Sequence, residues 1–191
     1  KLSQEIEALQ VNGLLKNPEQ LLISDSATVL LSYHRALDQA RERVAGLEKI
    51  GTTGKGIGPA YEDRASRKAI LFGDLFNPST LKAKIESSLK EKNFLLENMY
   101  KQPKIDINEV MASVAKVSEK LAPFRSRDTS LVVHKALRAN KKVLFEGAQG
   151  TLLDLLHGTY PFVTSSSTLS GSACIGTGIG PLAMDKVIGI A

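Results

Sequence analysis

The sequence predicts an α/β fold in which a helix-rich insertion separates two loop systems. Three observations predict it. Apolar residues recur at helical spacing through most of the chain, and two short apolar runs, Leu21-Leu22-Ile23 and Val143-Leu144-Phe145, read as buried strands. Two glycine-dense stretches, residues 51–58 and the region opening at Gly147, fit neither helical nor strand periodicity.

Leu2, Ile6 and Leu9 give a first helix that stops at Asn12-Gly13. Leu21-Leu22-Ile23 is a candidate strand closed by Ser24-Asp25-Ser26. Asp25 or Ser26 can cap a second helix whose Val29, Leu30, Tyr33, Leu37 and Ala40 share a face and which ends near Gly46. Asn77-Pro78 is a start signal for a long amphipathic helix carrying Leu81, Ile85, Leu89, Phe94, Leu95 and Met99, broken by Gln102-Pro103. A further helix runs over about residues 108–121 with Pro123 as its stop, and a shorter one carrying Leu131, Val132 and Leu137 ends near Asn140. Val143-Leu144-Phe145 then reads as a buried strand feeding a loop, and Val187-Ile188-Gly189-Ile190-Ala191 as a strand barely begun. The chain therefore looks cut at both ends.

The 191 residues suffice for one sizeable core or two small ones. Trp is absent and aromatics are 5%, so Leu, Ile, Val and Ala must fill that core. No apolar run approaches the roughly 18 residues of a membrane span, and no secretory leader is visible. The single cysteine, Cys174, rules out an internal disulfide and fits a reducing, cytoplasmic setting. The net charge of +5 raises the question of an anionic partner. Basic residues interleave with acidic ones along helices such as residues 82–92 and aromatics are scarce, which disfavours nucleic acid and leaves solvated helix faces or a small phosphate-bearing molecule.

Four glycines in Gly51-Thr52-Thr53-Gly54-Lys55-Gly56-Ile57-Gly58 permit positive φ, and successive N–H groups with the Thr52 and Thr53 hydroxyls suit an anion. A Walker loop is excluded, because Gly51 lies too close to Gly54-Lys55 and Gly56 replaces the Mg²⁺-binding hydroxyl. In Glu62-Asp63-Arg64-Ala65-Ser66-Arg67-Lys68, helical spacing sets Arg64 and Lys68 on one side and Arg67 near a neighbouring face, either solvated or gripping phosphate. Phe145-Glu146-Gly147-Ala148-Gln149-Gly150 offers Gln149 at a strand's carboxyl end, as a turn residue or a reader of a base edge. Six hydroxyl residues between Thr159 and Thr168 again suggest phosphate, while His157 stays open between a base, a ligand and a structural role.

Taken together, Gly51-Thr52-Thr53-Gly54-Lys55-Gly56-Ile57-Gly58-Pro59-Ala60-Tyr61, Phe145-Glu146-Gly147-Ala148-Gln149-Gly150 and His157-Gly158-Thr159-Tyr160-Pro161-Phe162-Val163-Thr164-Ser165-Ser166 resemble the adenylosuccinate synthetase family in order and spacing over essentially the whole chain. The resemblance implies a GTP-dependent ligase that joins L-aspartate to inosine monophosphate (IMP), with Mg²⁺ neutralising phosphate charge. It implies IMP-binding roles for Thr53, Arg67, Gln149 and Thr164, and a cytoplasmic homodimer in which Arg67 reaches the other subunit's site. The family's phosphate loop with its catalytic aspartate, its catalytic histidine and its C-terminal aspartate- and guanine-binding region have no counterpart here. No catalytic or metal-binding residue is therefore expected on this chain. By the resemblance it is a single internal portion of one larger, P-loop-like α/β domain: helices and the glycine-rich IMP loop over 1–70, a helical insertion over 71–140, and a strand with nucleotide loops over 141–191. A non-catalytic purine-nucleotide-binding module is the alternative reading.

Overall fold

The computed structural model describes residues 1–190, which form two compact units, one over Lys1–Arg127 and one from Asp128 onward. The first is built from five helices: α1 (Leu2–Val11), α2 (Ser32–Val44), α3 (Ile57–Ala65), α4 (Pro78–Phe94) and α5 (Ile107–Leu121). Asn77 caps α4 by accepting from Thr80 N, with Pro78 at the first helical position, as its sequence demands. Leu95–Met99 prolong α4 as a π-type turn. Asp106 caps α5, which ends in the 3₁₀ turn Ala122–Phe124 around Pro123.

One face of α1, α2, α4 and α5 enters a common core, represented by Ile6, Tyr33, Ile85, Val114 and Phe124 together with Ile70 and Phe72 from the α3–α4 connection. Leu37, Ala40 and Leu96 make a smaller cluster between α2 and the π-type turn. Ile70, Ile85 and Leu96 are wholly buried, and each contributes about 1.5–3 kcal/mol through transfer from water. Two short parallel strands, β1 (Ile23–Ser24) and β2 (Arg125–Ser126), pair in the register Ile23↔Arg125 and Ser24↔Ser126. The chain is thus a helix-rich α/β portion.

Two expectations in this unit are corrected. The first strand is confined to Ile23–Ser24; Leu21 packs on the core and Leu22 stays exposed. The second helix begins at Ser32, not at Asp25. Asp25 and Ser26 turn, with Ala27 N–H bonded to Ser24 O at 3.0 Å. Thr28 then bridges antiparallel to Leu71, flanked by Val29 N to Ile70 O and Phe72 N to Ala27 O at 2.9 and 2.8 Å, a geometry that β-branched Thr28 and Val29 favour. Asp25 forms instead a two-pronged bridge to Arg125, both contacts 2.8 Å, with the guanidinium lying over the Phe76 ring.

The second unit contains α6 (Thr129–Arg138), capped by Asp128, and α7 (Ser172–Thr177), ended by Gly178 at φ +72°. Its only buried side chain among the described residues is Asp154. The strand expected at Val143-Leu144-Phe145 is absent: no backbone hydrogen bond among the described residues involves it, and Leu144 is 83% exposed. The same holds for residues 187–190, where Ile188 is 81% exposed, and Ala191 lies outside the described residues. A parallel strand needs neighbours for its N–H and C=O groups and layers for both faces, and this unit supplies neither. Among the described residues no helix is long and apolar enough to cross a membrane.

Candidate functional site

The glycine-rich loop lies along α2. His34, Asp38 and Glu42 recur one turn apart on a single face of that helix, the spacing that stacks side chains in a row. Asp38 is buried; its Oδ1 accepts the Thr52 hydroxyl at 2.9 Å and its Oδ2 accepts Gly56 N–H at 2.7 Å. Glu42 accepts Gly51 N–H at 3.2 Å, and Thr52 Oγ1 accepts Gly54 N–H at 3.3 Å. Gly56, at φ +88°, approaches α2 so closely that a Cβ would lie 2.6 Å from both Arg35 N and His34 C. Only glycine fits.

This corrects the picture of an open cradle of N–H groups. Those of Gly51, Gly54 and Gly56 already serve Glu42, Thr52 and Asp38, because a helix face with two carboxylates satisfies donors that water would otherwise take. Thr53 is different. It is exposed, and its hydroxyl has no hydrogen bond among the described residues, so it remains a donor for a ligand at a fixed point of the loop.

The basic run after the loop is not one helix. α3 stops at Ala65, Arg67 N–H bonds to Arg64 O at 3.1 Å, and Lys68 N–H bonds back to Asp63 O at 2.8 Å. This is a Schellman termination with its left-handed position filled by Arg67 at φ +64°, where glycine is the usual occupant. Arg64 and Lys68 consequently do not share a helical side: Arg64 donates to Ser26 O and Lys68 pairs with Glu91. Arg67 has no side-chain partner among the described residues. Arg67 thus combines a strained backbone with an uncommitted guanidinium. Thr53 precedes and Arg67 follows the nine-residue α3, a helix roughly 13 Å long.

α3 is anchored by a buried ionic cluster. Asp63 bonds His34 Nε2 at 3.0 Å and Lys92 Nζ at 2.5 Å. His34 Nδ1 accepts Leu31 N–H at 2.9 Å, so Nε2 bears the hydrogen given to Asp63. Burial works to raise the Asp63 carboxyl, but the His34 and Lys92 hydrogen bonds and the Lys92 charge outweigh it and hold the group below its ordinary range. Beside it, burial pushes the Tyr33 hydroxyl up to about 12.

In the second unit Gln149 also holds a non-glycine left-handed conformation, φ +66°, and is exposed. It follows no strand, contrary to expectation, and opens the 3₁₀ turn Thr151–Leu153. Two loop segments run against each other here: Thr164 N–H bonds Leu153 O at 2.9 Å, and the Thr168 hydroxyl bonds Gly150 O at 2.8 Å. The hub is Asp154, which receives the N–H groups of Thr168, Leu156 and His157 at 2.6, 2.9 and 3.1 Å. The Thr168 N–H chiefly holds its carboxyl below the usual range; burial opposes this, and the Leu156 and His157 N–H groups assist. Gly158 sits so tightly that a Cβ would meet Leu152 O at 2.4 Å. Within this frame Thr164 is half-buried, its hydroxyl 3.4 Å from that of Ser166. The His157 side chain is exposed and has no hydrogen-bond partner among the described residues.

Sequence reasoning missed Asp38 and Asp154, the two carboxylates that shape these loops. The available signal was an isolated acidic residue within helical reach of, or inside, a run of Gly, Ser and Thr with more N–H donors than local acceptors.

Comparison with known proteins is decisive on ancestry. The family model for adenylosuccinate synthetase matches residues 1–191. The chain belongs to the adenylosuccinate synthetase family. It is 60% identical over 189 residues to the adenylosuccinate synthetase of Bdellovibrio bacteriovorus, covering 99% of this chain and 44% of that protein. It is 48% identical over 190 residues to that of Bifidobacterium adolescentis, again covering 44% of the relative. The structure of fully ligated adenylosuccinate synthetase from Plasmodium falciparum matches with a TM-score of 0.78 at 31% identity, over 88% of this chain and 39% of that one. The chain thus spans less than half the length of these synthetases.

Proposed function

We propose that the full-length protein is a GTP-dependent carbon–nitrogen ligase of purine biosynthesis, forming adenylosuccinate from IMP and L-aspartate, and that this internal portion of a larger domain supplies IMP-binding loops. Thr53 and Thr164 hold the IMP phosphate, Gln149 lies near the reacting edge of the purine, and Arg67 serves the IMP site of the partner in a cytoplasmic homodimer. GTP phosphorylates the 6-oxygen of IMP, and the aspartate amine then displaces that phosphate. The observation carrying this reading is the Thr53 hydroxyl, unbonded on a loop whose neighbouring Thr52, Gly54 and Gly56 are all tied down. Thr53 precedes α3 and Arg67 follows it, which supports their serving different pockets. Mg²⁺ belongs to the reaction of the whole protein. No ligand to it is assigned on this chain.

Incubating the full-length protein with IMP, aspartate and MgGTP is expected to yield adenylosuccinate and GDP. Turnover with ATP and none with GTP would overturn the co-substrate. IMP binding without turnover would leave a purine-nucleotide-binding module.

A further inference from the structure

We propose that Asp38 is a positioning residue for IMP, fixing the loop on which Thr53 presents its hydroxyl; the inference rests on the phosphate-binding reading of Thr53 given above. One carboxylate reaches both sides of Thr53: Oδ1 takes the Thr52 hydroxyl before it and Oδ2 takes Gly56 N–H after it. Thr52 passes the restraint on, because its oxygen accepts Gly54 N–H. The loop residues either side of Thr53 are therefore linked, directly or through one hydroxyl, to a single buried side chain on α2.

The helix beneath is itself immobilised. His34, one turn before Asp38, closes the start of α2 on Leu31 N–H, bonds Asp63 of α3, and lies under Gly56 in a contact too close for any Cβ. Glu42, one turn after, takes Gly51 N–H. Three successive turns of one helix thus fasten the loop at its entry, middle and exit. Thr53, without an internal partner, is the position left for a ligand. A phosphate binder gains from such pre-organisation because no ordering of the loop remains to be done on binding.

The arrangement carries an apparent contradiction: a carboxylate sits beneath a loop assigned to a dianionic phosphate. Geometry, not charge, must then be its contribution, and the two can be separated. An asparagine can turn its oxygen to Gly56 N–H and its amide to Thr52 Oγ1, retaining both ties without the charge. An alanine retains neither.

The test uses the full-length protein, with IMP dissociation constants from calorimetry and KM for GTP from turnover. Asp38→Ala is expected to weaken IMP binding roughly tenfold or more while leaving KM for GTP unaffected, and Asp38→Asn to recover most of that loss. Should Asp38→Ala fail to fold, Thr52→Val cuts the same tie from the exposed side and is expected to weaken IMP several-fold. Asp38→Ala binding IMP as tightly as the native protein, or more tightly, would overturn the proposal and make the carboxylate a competitor for the loop's N–H groups. Equal losses in the folded Ala and Asn variants, or equal losses for IMP and GTP, would overturn it too. Thr53→Ala run alongside separates the premises: if it leaves IMP binding intact, the phosphate assignment of the loop fails, whatever Asp38 does.

Discussion

Arg67 occupies a backbone conformation that glycine adopts freely and other L-residues reach at a cost of about 1–2 kcal/mol. Glycine in turn gives back roughly 0.5–1 kcal/mol through its looser unfolded chain. Arg67→Gly is therefore expected to leave stability unchanged or raise it by up to about 1.5 kcal/mol, while IMP turnover falls sharply. Denaturant melts beside steady-state rates check both, and a destabilised variant would show that the guanidinium has a structural partner. Thr164 is anchored through its backbone to Leu153 and has only a long contact from its hydroxyl to Ser166. Thr164→Val should cost IMP binding about 1.5–3 kcal/mol, or roughly ten- to a hundredfold in affinity. An unchanged dissociation constant in the folded variant would leave Thr164 as a turn residue.

At the scale of elements, α2, α3 and α4 meet at the buried Asp63, His34 and Lys92. Removing one partner of such a cluster leaves a charge uncompensated, so Lys92→Met is expected to destabilise by about 3–5 kcal/mol. The pH dependence has a definite sign. The folded-state pKa of Asp63 lies below its ordinary 3.8. Its stabilisation is complete above that value and is lost as pH falls through the lower folded value, because the native state resists protonation that the unfolded chain accepts. Asp63→Asn, though less stable near neutrality, should lose less further stability below pH 3.8 than the native protein does. Thermal melts of both across the acid range measure the difference, and parallel acid limbs would show that the other lowered carboxylates, Asp25 with its Arg125 hydrogen bond among them, carry the acid limb instead.

For the whole molecule, the core clusters draw every buried residue from Lys1–Arg127. A peptide of residues 128–191 buries too little apolar surface to offset its conformational entropy. It is expected to lack a cooperative thermal transition and protected amides, whereas residues 1–127 should melt cooperatively. Circular dichroism and hydrogen exchange on the two pieces decide this. The proposed shared site is tested by mixing full-length subunits carrying Arg67→Leu with subunits carrying Thr53→Ala and Thr164→Val. If Arg67 acts across the interface, a mixed dimer keeps one intact pocket and activity returns on mixing. With subunit exchange confirmed, no recovery would assign Arg67 to its own chain.

The sequence by itself determined α1, α4, α5 and the body of α2, because apolar spacing and local caps such as Asn77-Pro78 act within a few residues of each other. It also determined the family, since three loop motifs in order are specific where each alone is not. The strand at Val143-Leu144-Phe145 was not legible correctly: a strand's hydrogen bonds belong to its neighbours, and an apolar run cannot say whether neighbours are present. Nor was the start of α2 at Ser32, which depends on residues 25–29 pairing with residues 70–73. Thr53 and Thr164 were legible as hydroxyls in phosphate-like loops, but that Thr53 is left unbonded while Thr52 is consumed by Asp38 required the fold. The left-handed turn at Arg67 likewise depends on where α3 ends, with Asp63 O receiving Lys68 N–H. Local propensity writes itself into neighbouring residues; the choice of which donors remain for a ligand is made by partners far along the chain, and only tertiary structure brings those together.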